Sequence, residues 1–475
     1  MSSASVRRSS FSPAEIARIS KGTLLIRGGD GVSSVVIDSR QVRKGALFIP
    51  LAGTKVNGHT FLAEALKKGA HALLASRVEW EKQKESLAPL VRERKANLIV
   101  VEDTLVALQK MAKNRMRALG DVLRIGITGS NGKTTTKEII GTILAAQAQT
   151  AISEGNLNSE IGLPLSVFQV QEDDRYAVFE LGMNHVGEMD IITDIFRPDL
   201  ALITNIGKAH IGLLGSEEAI AREKKKIFRY LEESGKAFLY EGERFFKYLT
   251  AGIRGKVIPY GPQSTKGYEG SLSLGLVGTA IHWEGLQIHF PLFGVHNLLN
   301  ALASLSVSVE LGISKRKIKA GLEQVKPLFG RSQIIKGQVS VIQDCYNSNP
   351  DSVRMLFDFL KPLAWQGRKI MVLGSMLELG MSSEEAHREI GQAAGRSGFD
   401  MIFLFGPEME TAYTALKLTG FCGYLDWTED MSQLRCRLIK LVRPGDLVLL
   451  KGSRGVALER LLPDLAPASS QALKG

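Results

Sequence analysis

At 475 residues the chain is too long for one compact core, and 44% apolar with 23% charged residues is the make-up of a soluble globular protein of about three domains. Sixty Lys and Arg against 49 Asp and Glu leave a charge of +11, which suits anionic partners. The basic residues are spread along the chain without the interleaved aromatics of a single-strand-binding groove, so nucleic acid is not an expected partner.

No apolar run approaches the roughly 18 residues of a membrane span, and no signal-peptide core follows Arg7 and Arg8. Cys345, Cys422 and Cys436 form neither a C-x-x-C pair nor a zinc spacing. A cytoplasmic chain, not membrane-embedded and working as a monomer, is expected. Strand patterns at residues 32–37, 47–50, 71–75 and 98–101, with an amphipathic helix at 61–68, predict a small α/β unit. Two of its loops, Asp38-Ser39-Arg40 and Gly53-Thr54-Lys55-Val56-Asn57-Gly58-His59, carry donors for a phosphate, although turn chemistry alone accounts for them.

A helical stretch at 104–119 leads into an apolar run from Val122. There follows I-G-I-T-G-S-N-G-K-T-T-T-K-E, Ile125 to Glu138, which opens the helical pattern Ile139, Ile140, Ile143, Leu144. A strand that feeds a helix through Gly129 and Gly132 brings backbone N–H groups and the helix N-terminus to bear on an anion. Lys133 adds a point charge, and the Thr134 hydroxyl can ligate Mg²⁺. The loop is the short G-x-x-G-K-T form, with Ile127 where the eight-residue spacing has glycine.

Strands alternate with helices over the next 200 or so residues, as a parallel sheet requires. Residues 176–179 end in Glu180, and 200–203 lead to His210. Ligands gather at the C-terminal ends of parallel strands, so both belong on the edge that carries Lys133, where they point to metal ligation; a solvated strand end is the alternative for Glu180 alone. At 219–228, Ile220, Ile227 and Phe228 are expected to pack inward while Lys224, Lys225 and Lys226 cover the helix's outer face. His296 and Asn297 open a small-residue helix that they either cap or use to present a ligand contact. Lys326-Pro327 and Gly330 mark a boundary. Beyond it, strand patterns at 340–343, 370–373, 401–405 and 447–450 predict a dinucleotide-binding-like sheet without G-x-G-x-x-G, so no nicotinamide or flavin is expected. Asn349, Pro350 and Asp351 are helix-start chemistry.

Taken together and in this order, the stretches resemble the Mur ligase family of cell-wall amino-acid ligases, from about residue 33 to residue 460. The likeness rests on D-S-R at 38–40 with L-F-I-P-L-A-G at 47–53, T-G-S-N-G-K-T-T-T-K-E at 128–138, G-N-L-N-S-E-I-G-L-P at 155–164 and F-E-L-G-M at 179–183. It continues through N-I-G-K-A-H at 205–210, G-V-H-N-L-L-N-A-L-A at 294–303, G-R-S-Q at 330–333, D-C-Y-N-S-N-P-D-S at 344–352, V-L-G-S-M-L-E-L-G at 372–380 and K-G-S-R-G at 451–455.

The resemblance implies an α/β protein of three domains: residues 1–103 for a UDP-sugar, a central P-loop parallel-sheet ATPase domain over 104–328, and a C-terminal Rossmann-like domain over 329–475 for an incoming dipeptide. Within the family the likeness is to ligases that join D-alanyl-D-alanine to UDP-N-acetylmuramoyl-tripeptide, using ATP and Mg²⁺, in peptidoglycan precursor synthesis. It assigns ATP contacts to Gly129, Ser130, Asn131, Gly132, Lys133, Thr134, Thr135, His296, Asn297, Asn300, Arg331, Tyr346 and Asn347. It assigns substrate contacts to Ser39, Arg40, Thr54, Asn57, His59, Asn156, Asn158 and Ser159. Lys133, Glu180, His210 and Lys224 become the catalytic set, with Thr134, Glu180, His210 and Lys224 around the metal. Lys224 aligns with the lysine that the family carbamylates, which would turn a cation into an oxygen ligand; Lys225, next to it, is the alternative. Three positions depart from the family pattern: Ser159 for asparagine, and Asn57 and Ser375 for aspartates.

Overall fold

The computed structural model describes residues 11–29, 31–53 and 55–467. The N-terminal sheet contains β1 (Thr23–Ile26), β2 (Ser34–Val36), β3 (Ala46–Phe48), β4 (Ala72–Ser76) and β5 (Asn97–Val101), in the spatial order β1-β5-β4-β3-β2. Neighbouring strands run parallel except at β1. Neither β1 nor the helix Arg77–Glu93 was expected from the sequence. That helix buries only Trp80, Leu87 and Val91 and carries Pro89 inside it, so its apolar stripe is too thin to give a clear 3.6-residue period.

The central sheet is built from β6 (Leu123–Thr128), β7 (Thr150–Ile152), β8 (Tyr176–Glu180), β9 (Leu200–Ile203), β10 (Lys236–Tyr240) and β11 (Lys256–Tyr260), in the order β11-β10-β9-β6-β8-β7. All its pairings are parallel. Parallel strands are covered on both faces, which is why β8 and β9 are buried at every residue. One face packs against Ile139, Ile140 and Ile143 of the helix Lys133–Ala145 and Leu302 and Leu305 of Val295–Glu310. The other packs against Ile192 and Phe196 of Glu188–Phe196 and Ile220 of Glu217–Lys225.

The strand–helix alternation is interrupted by an antiparallel sheet of β12 (Tyr268–Ser273), β13 (Thr279–Trp283) and β14 (Leu286–Phe290). Its last two strands turn through Glu284 and Gly285, both at positive φ (46° and 75°), the backbone a two-residue hairpin needs. The C-terminal sheet combines β15 (Gln333–Ile335), β16 (Ser340–Asp344), β17 (Lys369–Gly374), β18 (Met401–Phe405), β19 (Tyr424–Thr428) and β20 (Leu447–Lys451), in the order β15-β16-β20-β17-β18-β19. Only β15 is antiparallel. Asn349 caps the helix Pro350–Leu360 through a capping box with Ser352, and Pro350 is its first residue. Among the described residues no helix is long and apolar enough to cross a membrane.

Candidate active site

The order β8-β6-β9 in the middle of the central sheet brings three strand ends together. Ile127 pairs with Glu180 and Thr128 with Ile203, so Glu180, the loop 129–132 and the loop that ends at His210 share one edge. The loop is shaped by what presses on its glycines. Gly129 has φ 151° and a Cβ there would stand 1.8 Å from Thr204 Oγ1; Gly132 has φ 82° and a Cβ there would stand 2.4 Å from Asn300 Oδ1. No side chain fits at either place. Ser130 Oγ accepts from the Gly207 N–H (2.8 Å) and donates to the Gly207 carbonyl (3.0 Å), while the Asn131 N–H donates to Asn205 Oδ1 (2.9 Å). The loop is thus held from behind, and the N-terminus of the helix Lys133–Ala145 is left facing a cleft.

Lys133 folds back over the loop, donating to the Gly129 carbonyl at 2.8 Å. Desolvation depresses its pKa, with the Glu180 carboxylate opposing the shift. Thr134 Oγ1 donates to Glu180 Oε2 at 2.6 Å and Asn158 Nδ2 to Glu180 Oε1 at 2.8 Å, so both carboxylate oxygens are fixed although Glu180 is only 3% exposed. A Cβ on Gly182 would stand 2.8 Å from the Asn158 amide carbon, so this glycine makes room for that contact.

Lys224 overturns the expected arrangement of its helix. It does not cover an outer face: it is 1% exposed and lines the cleft. Burial, reinforced by the nearby Lys133 charge, pushes its pKa well below the usual lysine value, against Glu180 and Glu223. Lys225 points the other way, donating to the Tyr248 carbonyl at 2.6 Å and lying over the Tyr248 ring. Lys226 pairs with Asp190 and Glu223, each at 2.6 Å.

From the C-terminal side, Arg331 lies over the Tyr346 ring, 4.1 Å from its centroid, and the Tyr346 N–H donates to the Gly330 carbonyl. Lys451, at the end of β20 and 1% exposed, pairs with Asp344 (3.0 Å) and donates to the Asn347 carbonyl (2.6 Å). Sequence reasoning gave Lys451, Asp344 and the fully buried Lys137 no role. Lys137 holds the Ser153 carbonyl and pairs with Glu138 at 2.8 Å, tying the helix to the loop that carries Asn156 and Asn158. A lysine at a buried strand end, or one turn after the cradle on the helix's inner face, was the available signal. Asn297 donates to the Phe293 carbonyl (2.9 Å) and Asn300 accepts from Thr136 (3.2 Å). Burial lowers the His296 pKa.

These groups line one cleft of about 550 Å³, which takes in Ser130, Asn131, Gly132, Lys133, Thr134, Thr135, Asn156, Asn158, Ser159, Glu180, His210, Lys224, His296, Asn297, Asn300, Arg331, Tyr346 and Asn347. Gly129 sits behind it, its carbonyl on Lys133. Ser39, Arg40, Asn57 and His59 are not among its walls; they occupy loops that follow the parallel strands β2 and β3. Arg40 is exposed and pairs with Asp38 at 2.7 Å, holding that carboxyl down to about 2. Asn57 accepts from the His59 N–H (3.1 Å) and lies 2.9 Å from His59 Nδ1, doing the capping work of an aspartate, while His59 Nε2 accepts from the Ser76 N–H (3.0 Å). Thr54 lies outside the described residues.

The donor set fits Mg²⁺ beside phosphate. The Thr134 hydroxyl and the Glu180 carboxylate are hard oxygen ligands in mutual contact at the cradle's mouth. No group of three His, Cys, Asp or Glu among the described residues could cage a metal, so phosphate oxygens and water would fill out the coordination, the usual manner of Mg²⁺.

Three family models match the chain: the Mur ligase family catalytic domain over residues 31–116, the Mur ligase middle domain over 127–308, and the Mur ligase glutamate ligase domain over 330–454. The chain is 40% identical over 438 residues to the UDP-N-acetylmuramoyl-tripeptide–D-alanyl-D-alanine ligase of Treponema pallidum, a match covering 92% of this chain and 94% of that one. It is 35% identical over 458 residues to the enzyme of the same name from Bacillus subtilis, covering 95% and 97%. Its structure is similar to a crystal structure of MurF from Acinetobacter baumannii (TM-score 0.86, 28% identity, 97% and 100% covered). It is also similar to MurF from Thermotoga maritima in complex with ADP (TM-score 0.78, 27% identity, 92% and 98% covered).

Proposed function

The chain belongs to the Mur ligase family, and from that membership we propose that it joins D-alanyl-D-alanine to the terminal carboxylate of UDP-N-acetylmuramoyl-tripeptide at the expense of ATP, in peptidoglycan precursor synthesis in the cytoplasm. The observation that carries the reading is the convergence on one cleft of a glycine-shaped cradle, the Thr134–Glu180 pair and a buried lysine, faced by Arg331 and Tyr346 from the C-terminal domain.

A carboxylate cannot expel oxide, so amide formation needs activation. The peptide's terminal carboxylate takes the γ-phosphoryl group in line, giving an acyl phosphate and ADP; the dipeptide amine then attacks the acyl carbon, and phosphate leaves the tetrahedral intermediate. Lys133 swings from the Gly129 carbonyl onto the transferring phosphoryl oxygens, and the N–H groups of 132–134 hold the neighbouring phosphates, those of Ser130 and Asn131 being engaged behind the loop by Asn205. Thr134, Glu180, His210 and a carbamylated Lys224 would hold Mg²⁺, which would supply charge neutralisation at those oxygens. The depressed pKa of Lys224 favours the neutral amine that carbamylation requires, and its burial supports the assignment over Lys225.

Asn156, Asn158 and Ser159 hold the peptide end of the acceptor; Ser39, Arg40, Thr54, Asn57 and His59 hold its uridine nucleotide. His296, Asn297, Asn300, Arg331, Tyr346 and Asn347 hold the rest of ATP. Domain bounds of 1–103, 104–328 and 329–475, a monomeric state and closure of the C-terminal domain to exclude water belong to the same proposal.

The test is phosphate release from ATP with UDP-N-acetylmuramoyl-tripeptide and D-alanyl-D-alanine, each omitted in turn. Release that needs all three and yields the pentapeptide is expected. Release stimulated by DNA or RNA and indifferent to the dipeptide would refute the reading.

A further inference from the structure

The loop after β9 and the loop after β17 meet between the central and C-terminal domains, with strained backbone on both sides. His210 (φ 62°) and Glu378 (φ 66°) both hold left-handed conformations that L side chains rarely adopt. Such residues persist only where their surroundings over-determine them, and they collect at switches and sites. Glu378 Oε2 stands 2.9 Å from His210 Nδ1, in a contact bent away from a straight hydrogen bond, and the Glu378 carbonyl accepts from the Gly212 N–H at 3.1 Å. The backbones are nearly touching: a Cβ on Gly212 would stand 2.4 Å from the Gly380 nitrogen, and one on Gly380 would stand 2.7 Å from the Gly212 Cα.

The other flank of the same loop is gripped as well. Asp351 Oδ2 accepts from the Lys208 N–H at 2.9 Å, so close to Gly207 that a Cβ there would stand 2.5 Å from it. Gly207 in turn is clamped to Ser130 of the cradle, and Asn349 Nδ2 donates to Asn131 Oδ1 at 2.9 Å. A continuous chain of contacts therefore runs from the C-terminal domain through residues 207–212 to the phosphate loop.

Glu378 itself is not a wall of the cleft, and its side chain is 55% exposed, so it is placed to act on His210 and not on a substrate. A carboxylate against Nδ1 favours the tautomer that keeps the proton there, leaving the Nε2 lone pair for whatever the cleft holds. Contacts of this kind are often misaligned before ligands bind and tighten in the loaded enzyme.

We infer that Glu378 is a positioning residue: acting from the C-terminal domain, it sets the His210 ring and the loop 207–212, so that the cradle is completed only when that domain is docked. The inference rests on the ligase reading above.

The experiment compares Glu378→Ala, Glu378→Gln, His210→Ala and the His210→Ala/Glu378→Ala double variant in the full chain. The readouts are kcat, KM for the UDP-linked substrate, ligand-free melting temperature, and compaction by small-angle scattering with a non-hydrolysable ATP analogue. Glu378→Ala is expected to lose about 10–100-fold in kcat, the usual cost of removing a partner that orients a ligating histidine. Its KM and melting temperature should stay near the parent's, and its compaction should weaken. Glu378→Gln, whose amide oxygen still accepts from Nδ1–H, should recover most of kcat, and the double variant should be no slower than His210→Ala. A Glu378→Ala kcat within twofold of the parent, losses that multiply in the double variant, or losses that follow the melting temperature through both substitutions would each overturn the inference. A parent enzyme that makes no amide product from ATP would overturn the ligase reading itself, and the two failures are separate.

Discussion

Lys133→Met separates catalysis from folding at one atom. The Lys133 ammonium donates to the Gly129 carbonyl at 2.8 Å, a hydrogen bond from a charged donor worth about 1.5–3 kcal/mol. Against this stand the desolvation that depresses its pKa and the repulsion from the Arg331 charge. The opposing terms are of similar size, so the melting temperature should stay within about 4 °C of the parent's, the shift that goes with about 1 kcal/mol in a domain of this size. The catalytic loss is of another order. Lys133 is asked to meet charge that develops in the transition state, and removing one such preorganised donor costs about 2.7–4 kcal/mol, or 10²–10³ in kcat. Differential scanning fluorimetry and coupled phosphate release measure the two on the same sample. Turnover within threefold of the parent would refute the cradle assignment, and a fall in activity matched by a fall in melting temperature would show Lys133 to be a structural residue.

Lys224→Ala should lose most activity and regain part of it with short-chain carboxylic acids, while Lys225→Ala, altered on the opposite face, should keep near-parental turnover. A mass spectrum of active enzyme without the carbamate would count against that role. Lys451→Met leaves Asp344 without its buried counter-ion and should destabilise the C-terminal domain by about 3 kcal/mol, read as an earlier first transition in urea. Burial holds the pKa of both His59 and His387 below 6.5. Each therefore stays neutral in the fold while the unfolded chain takes up its proton. The stability they allow is complete above pH 6.5 and is lost as pH falls from there towards their lower folded values. His387 Nε2 accepts from the Met376 N–H, so protonation there would also break a bond; His387→Gln should flatten the acid limb of the melting curve.

Much of the site could be read from the chain because its signals are local. A strand, two glycines and Gly-Lys-Thr at a helix start are a short-range pattern, and the rule that ligands sit at the C-terminal ends of parallel strands then put Glu180 and His210 on the edge where the structure has them. Asn349, Pro350 and Asp351 announced a helix start, which the structure has with a cap between Asn349 and Ser352, three residues apart. The helix Arg77–Glu93 and the hairpin Thr279–Phe290 were missed for the converse reason: a thin apolar stripe and a short antiparallel pair are weak in periodicity and become plain only once the neighbours that bury Trp80, Trp283 and Ile288 are in place.

What the chain by itself determined is chemistry that depends on a few consecutive residues: the cradle, the strand ends and the ordered motifs that mark the family. What only the tertiary structure decided is which side of a helix meets a wall and which loops of distant domains touch. Three adjacent lysines are identical to any periodicity argument. Lys224 alone is buried, because the helix Glu217–Lys225 packs on the central sheet with that position turned to the cleft, and its displaced pKa comes from desolvation and from Lys133, 91 positions away in the chain. Contact between Glu378 and His210 has the same origin, since no local pattern records a meeting between domains.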